Sequence, residues 1–187
     1  MGFAIAEELA IEGAKVILIA GPVSLKTNHP NIERIDVVSA KEMYEAAQKH
    51  FPSSDGAVMC AAVADYRPAV KANEKIKREK QGTFQIELIP NPDIAASLGK
   101  MKRPEQLLVG FALETNDEKQ NAQGKLKRKN LDFIVLNSLN DPGAGFQTDT
   151  NKISIIKANN KIIEFELKSK SLVAKDIVAQ MILSLQQ

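Results

Sequence analysis

Four short, almost wholly aliphatic runs constrain this chain more than anything else in it: "AKVILIAGP" (14–22), "GAVMCAAVA" (56–64), "QLLVGFAL" (106–113) and "LDFIVLN" (131–137). A strand with one wet face alternates polar and apolar residues, whereas a strand covered on both faces is apolar throughout. "NIERIDVV" (31–38) adds a β-branched, alternating strand. Helical patterns separate them. "SAKEMYEAAQKH" opens on a capping box, Ser39 with Glu42. "TNDEKQNAQGKLKRKN" (115–130) places acids in its first turn and bases in its last, complementing the helix dipole. Strands alternating with helices predict an α/β fold, a mostly parallel sheet with helices on both faces.

The ends of the chain fit this frame. "MGFAIAEELAIEG" reads as a helix whose apolar face carries Phe3, Ile5, Ala6, Leu9 and Ala10, with Gly13 as its stop. "KISIIKANNKIIEFEL" is a C-terminal β-hairpin turning at Asn159-Asn160. An amphipathic helix, 171–185, follows it, with Leu172, Val173, Ile177, Val178, Met181, Ile182 and Leu185 on one side. The middle is less regular. Residues 67–84 form a long basic loop, "FQIELI" (84–89) alternates as a strand, and Pro92 suits the first position of a helix through Ile94, Ala95 and Leu98.

With 187 residues, 44% of them hydrophobic, one core and one domain are expected. The single cysteine, Cys60, lies in an apolar run, which excludes a disulfide framework and fits a reducing cytoplasm. No apolar run reaches the roughly 20 residues that cross a bilayer, and the first residues lack the basic start of a secretory signal. Net charge is +2 with the signs interspersed, aromatics are 5% and tryptophan is absent, so a nucleic-acid partner is not expected.

In open parallel sheets, ligands bind beyond the carboxyl ends of the strands. That edge collects Asp65, Arg67, Glu114, Asn116 and Asn137. Any one of them reads equally as a cap or turn former; together they outline a site. "EKIKREK" (74–80) is either a solvated basic loop or a flap bringing lysines over an anion. Lys125 and Lys129, at i and i+4, share one helix face. They either complement the helix dipole or hold a phosphate between them. No phosphate-binding Gly-x-x-x-x-Gly-Lys-Ser/Thr loop and no Gly-x-Gly-x-x-Gly fingerprint is present. His29 and His50 have neither nucleophile nor metal-ligand spacing.

"AAVADYRP", "EKIKR", "NPDI", "GFALET" and "KLKRKNLDFIVLN", in this order, closely resemble the phosphopantothenoylcysteine synthetase family, the ligase domain of a bifunctional bacterial coenzyme A protein. "GAKVILIAGPVSL" and "GFQTDTNKISII" extend the resemblance over nearly the whole chain. It implies a Rossmann-like dimer. It also implies a reaction in which 4′-phosphopantothenate attacks the α-phosphate of CTP, releases pyrophosphate, and is captured as an acyl-cytidylate by cysteine. Magnesium would accompany the phosphates. Carried onto this sequence, the implied nucleotide contacts are Met59, Cys60, Ala61, Asp65, Pro92, Asp93, Ile94, Ala95 and Phe111, with Lys125 and Lys129 on phosphate and Lys75 acting on the acyl-cytidylate.

Two departures stand out. Leu113 replaces an alanine usual in the family. The family's first strand, its glycine-rich turn and an asparagine-bearing segment have no counterpart before "MGFAIAEEL", so a longer natural chain is expected, with room for a flavin-dependent decarboxylase domain upstream. The rival reading is an NAD(P)-dependent oxidoreductase. It is disfavoured by the absent glycine fingerprint and by tyrosines that lack a lysine four residues on.

Overall fold

The computed structural model describes residues 1–72, 74–76, 85–114, 118–138 and 149–186. Helix α1 (Gly2–Ile11) ends where Gly13 takes a φ of 94°, a left-handed conformation that a side chain would strain. Strands β1 (Val16–Ala20) and β2 (Ile32–Asp36) pair in parallel. Helix α2 (Ala40–His50) opens on the expected box: Ser39 Oγ accepts from the Glu42 amide and Glu42 Oε2 accepts from the Val38 amide at 2.8 Å. Strand β3 (Gly56–Met59) follows, then a short ribbon of β4 (Tyr66–Pro68) and β5 (Leu88–Pro90).

Helix α3 (Ile94–Met101), β6 (Leu107–Glu114), α4 (Glu118–Arg128) and β7 (Phe133–Ser138) complete the alternating part. Strands β3, β6 and β7 are parallel. The chain then adds β8 (Thr150–Asn151), β9 (Ile153–Lys157), β10 (Ile162–Glu164), β11 (Lys168–Ser169) and α5 (Lys170–Leu185). The β9–β10 hairpin extends the sheet antiparallel, in the order β10-β9-β7-β6-β3, while β8 and β11 form a small pair of their own. The hairpin turns where expected: Asn160 has a φ of 63° and Asn159 Oδ1 accepts from the Lys161 amide.

Alternation along the central strands builds two cores. Leu107, Val109, Phe133, Val135 and Ile155 face Ile5 of α1 and Val173, Ile177, Val178 and Met181 of α5. Leu108, Ala112, Ile134, Leu136 and Ile156 face Ala47 of α2, Ile94 and Leu98 of α3 and Ala122 and Leu126 of α4. Ile19, Met43 and Tyr44 pack on the second core and tie the β1–β2 pair to the sheet. An all-apolar strand is thus one that meets a helix on each side.

The structure corrects several boundaries. The strand expected over 56–64 ends at Met59, where the Cys60 amide turns back to the Val58 carbonyl. The alanines that follow are apolar but poor strand formers. The strand expected over 84–89 is β5, starting at Leu88; Phe84 lies outside the described residues. Ile86 and Leu88 stay exposed, so their alternation reflects no core face. Pro92 is not in the first turn of α3, because Asp93 takes the cap and Pro92 precedes it. Leu172 and Leu185, assigned to the buried side of the last helix, remain half exposed.

Candidate functional site

The carboxyl ends of β3, β6 and β7 lie along one edge because the three strands are parallel. Met59 closes β3, pairing with Gly110, and Phe111 is one residue further along β6. Met59 packs towards the α2–α4 side of the sheet and Phe111 towards the α1–α5 side, so the two straddle the edge. Cys60 is largely covered, its side chain near Gly2, and burial pushes its thiol up from the usual range. Ala61 and Asp65 are exposed in the loop beyond the strand.

That loop is knitted to the start of α3. The Asn91 amide donates to the Asp65 carbonyl at 2.7 Å, and Asn91 Nδ2 donates to the Ala64 carbonyl at 2.8 Å. Arg67 Nη1 donates to the Pro90 carbonyl and to Asn91 Oδ1, at 2.8 and 2.9 Å. Residues 59–65 and 92–95, far apart in sequence, therefore form one continuous rim. The sequence places Arg67 at this edge without a role, whereas the one signal for Asn91 is its position between two prolines, a residue held extended by the proline after it.

Helix α3 begins with its own cap. Asp93 Oδ1 accepts from the Ala96 amide at 3.0 Å, and Asp93 Oδ2 meets Lys129 Nζ at 3.0 Å. Burial would raise the Asp93 carboxyl, but the Ala96 amide and the Lys129 ammonium outweigh it and hold the group below its ordinary value. The amides at the start of α3, a type of site that suits an anion, are thus partly engaged by a carboxylate already. Ile94 turns into the core, while Pro92 is exposed and Ala95 half-buried.

Lys129 follows α4, its amide still bonded to the Lys125 carbonyl, so the i, i+4 relation holds. For Lys129 the compensating negative charge comes from Asp93. Its backbone lies beside Gly99, near the far end of α3, and its side chain reaches back to the helix start. Lys125 is half-buried on α4, and Lys75 is exposed on the β4–β5 connection. Of the remaining edge residues, Asn116 lies outside the described residues, and Asn137 Oδ1 is buried without a hydrogen-bond partner among those described.

A depression of about 380 Å³ opens elsewhere, between the 23–28 loop and β2, lined by Lys26, Thr27, Arg34 and Asp36. Its arginine is committed to Asp36 and to the Leu25 carbonyl, and none of the residues expected at the site lines it. Among the described residues no cluster of three acidic, cysteine or histidine side chains could hold a metal ion, and no helix is long and apolar enough to cross a membrane.

This arrangement matches known proteins. A "Cysteine/Cysteine sulfinic acid decarboxylase" from an unknown prokaryotic organism is 54% identical over 182 residues, covering 97% of this chain and 50% of that protein. The "Coenzyme A biosynthesis bifunctional protein CoaBC" of Vibrio parahaemolyticus is 41% identical over 182 residues, 97% of this chain and 45% of its own length. The chain thus spans about half the length of these relatives. The crystal structure of the C-terminal domain of a CoaBC protein superposes with a TM-score of 0.81 at 34% identity, covering 98% of this chain and 81% of that one. The sequence profile of the DNA/pantothenate metabolism flavoprotein C-terminal domain matches residues 1–184, and the chain belongs to that family.

Proposed function

We propose that this chain is the ligase module of coenzyme A biosynthesis, joining 4′-phosphopantothenate to cysteine through an acyl-cytidylate formed from CTP. The observation that carries this reading is the likeness to CoaBC, in sequence to whole proteins and in structure to their C-terminal domain. The rim of residues 59–65 and 92–95 supports it, since the segments expected to bind nucleotide lie side by side. No observation favours the oxidoreductase alternative.

In this reading the carboxylate of 4′-phosphopantothenate attacks the α-phosphorus of CTP, and the bond to pyrophosphate breaks. The cysteine amine then attacks the acyl carbon; an amide forms, CMP leaves, and the amine gives up a proton. Met59, Cys60 and Ala61 border the base and ribose through their backbone, beside Asp65, Ile94, Ala95 and Phe111. Lys125 and Lys129 hold the phosphates, with Lys129 exchanging Asp93 for a phosphate oxygen. Lys75 stabilises the negative charge that develops on the acyl-phosphate. Magnesium would neutralise charge on the triphosphate; with no three-carboxylate cage among the described residues, it would travel with the nucleotide's own oxygens and water. A homodimer, a cytoplasmic location and a decarboxylase half elsewhere in a longer chain belong to the same proposal. The last would account for the name of the relative at 54% identity.

The test is pyrophosphate release by the complete protein with CTP or ATP and 4′-phosphopantothenate, with and without cysteine. Lys75→Ala should lower turnover at least tenfold while CTP affinity changes less than threefold, because the lysine acts on charge formed late. A normal rate in that variant would remove Lys75 from the reaction. Release from neither nucleotide in the unmodified protein would sink the ligase reading.

A further inference from the structure

The β4–β5 ribbon is built from parts that should not hold together well. It has three residues per strand, and isolated two-stranded ribbons are marginal in water. Pro68 and Pro90 remove one backbone donor from each strand. Of its apolar side chains, Tyr66 and Leu88 are 61% and 56% exposed and only Ile89 is partly buried, so little burial compensates. One main-chain bond, from the Ala69 amide to the Glu87 carbonyl at 2.9 Å, continues the ladder beyond the ribbon.

What the backbone lacks, two side chains supply. Arg67 reaches across to the opposite strand's Pro90 carbonyl and to Asn91 Oδ1. Asn91 uses its other side-chain end on Ala64, and its amide on Asp65. Every polar group of the Asn91 side chain is thereby engaged, and each bond crosses between the two segments of the rim. Arg67 has no carboxylate partner among the ion pairs of the described residues. A guanidinium placed on a carbonyl and an amide oxygen holds geometry through its fixed fork of donors.

We infer that Arg67 and Asn91 act as a clamp and are positioning residues for the proposed ligase reaction. The clamp fixes the distance between Asp65 and the start of α3, and it pins both ends of the connection that carries Lys75. This inference rests on the ligase reading for what is positioned, and on the hydrogen bonds above for how. Neither residue is assigned to touch the reacting atoms.

The test uses the complete protein with Arg67→Ala, Asn91→Ala and the double variant, read in three ways. Pyrophosphate release should fall at least tenfold in kcat/KM for each single variant, and the double should lose less than the two single losses combined, since both remove the shared Arg67–Asn91 bond. Thermal melting should move by less than about 3 °C, because the ribbon lies outside both cores. Hydrogen exchange at the Ala69 and Asn91 amides should speed up at least tenfold in the single variants while amides of β6 stay protected. Additive losses in the double variant would overturn the clamp. So would unchanged exchange at Ala69 and Asn91, or a loss confined to the KM for 4′-phosphopantothenate, which marks Arg67 as a direct contact. An unmodified protein that turns over neither nucleotide would overturn the ligase reading and the positioning role with it; exchange at Ala69 and Asn91 would still report whether the clamp holds the ribbon.

Discussion

Gly99 sits inside α3, where alanine would ordinarily be the better helix residue by about 1 kcal/mol. Here the expected sign reverses. A Cβ at Gly99 would lie 2.0 Å from the Lys129 carbonyl oxygen and 2.8 Å from its carbon. Ordinary contact begins near 3.4 Å, so one of the two backbones must give by roughly 1.4 Å, and no rotamer can relieve a clash between main chains. Overpacking of this kind costs about 1–3 kcal/mol. The same shift stretches the bond from Asn130 Nδ2 to the Gly99 carbonyl, 2.9 Å, worth about 1 kcal/mol. After the gain in helix propensity, Gly99→Ala should destabilise by roughly 2 kcal/mol, a fall of about 4–8 °C in melting temperature for a domain of this size. The displaced carbonyl belongs to Lys129, so the contact with Asp93 should loosen too. Thermal melting reads the first effect, and the ratio of CTP to cytidine affinity reads the second. A variant that melts at or above the parent temperature would refute the reasoning, since propensity would then outweigh the close approach.

Two further outcomes follow from the perturbed groups. The Asp93 carboxyl is held low in the folded chain, so the stability it contributes is present above the ordinary carboxylate range and is lost as pH falls through the lowered value. Asp93→Asn keeps a capping side chain but loses the charge that the Ala96 amide and Lys129 favour, so its melting temperature should depend less on pH below about 5 than the parent's; an unchanged pH profile would show that the ionised carboxyl adds nothing. Burial raises the Cys60 thiol, so a neutral alkylating reagent at about pH 7.5 should modify the native protein at least tenfold more slowly than the urea-unfolded chain. Equal rates would place the thiol in solvent.

The sequence by itself determined the α/β layout, because each apolar run had to meet a helix on both sides, and that demand is written in the residues of the run. It also determined local devices: the Ser39–Glu42 box, the Gly13 stop and the Asn159-Asn160 turn are settled by neighbours within a few residues. Apolarity alone could not say where β3 ended, since Ala61 to Ala64 are as apolar as Met59 but have no ladder partner. Nor could it foresee that Ile86 and Leu88 alternate over no core. The Lys125–Lys129 spacing was legible, but the carboxylate that answers Lys129 comes from another helix, 36 residues earlier. Arg67 and Asn91 are 24 residues apart, and nothing in either stretch names the other as its partner. Pairings of that range are decided by which segments the sheet brings together. The edge of the site could therefore be read from the chain, whereas the contacts that hold its rim in place exist only in the folded molecule.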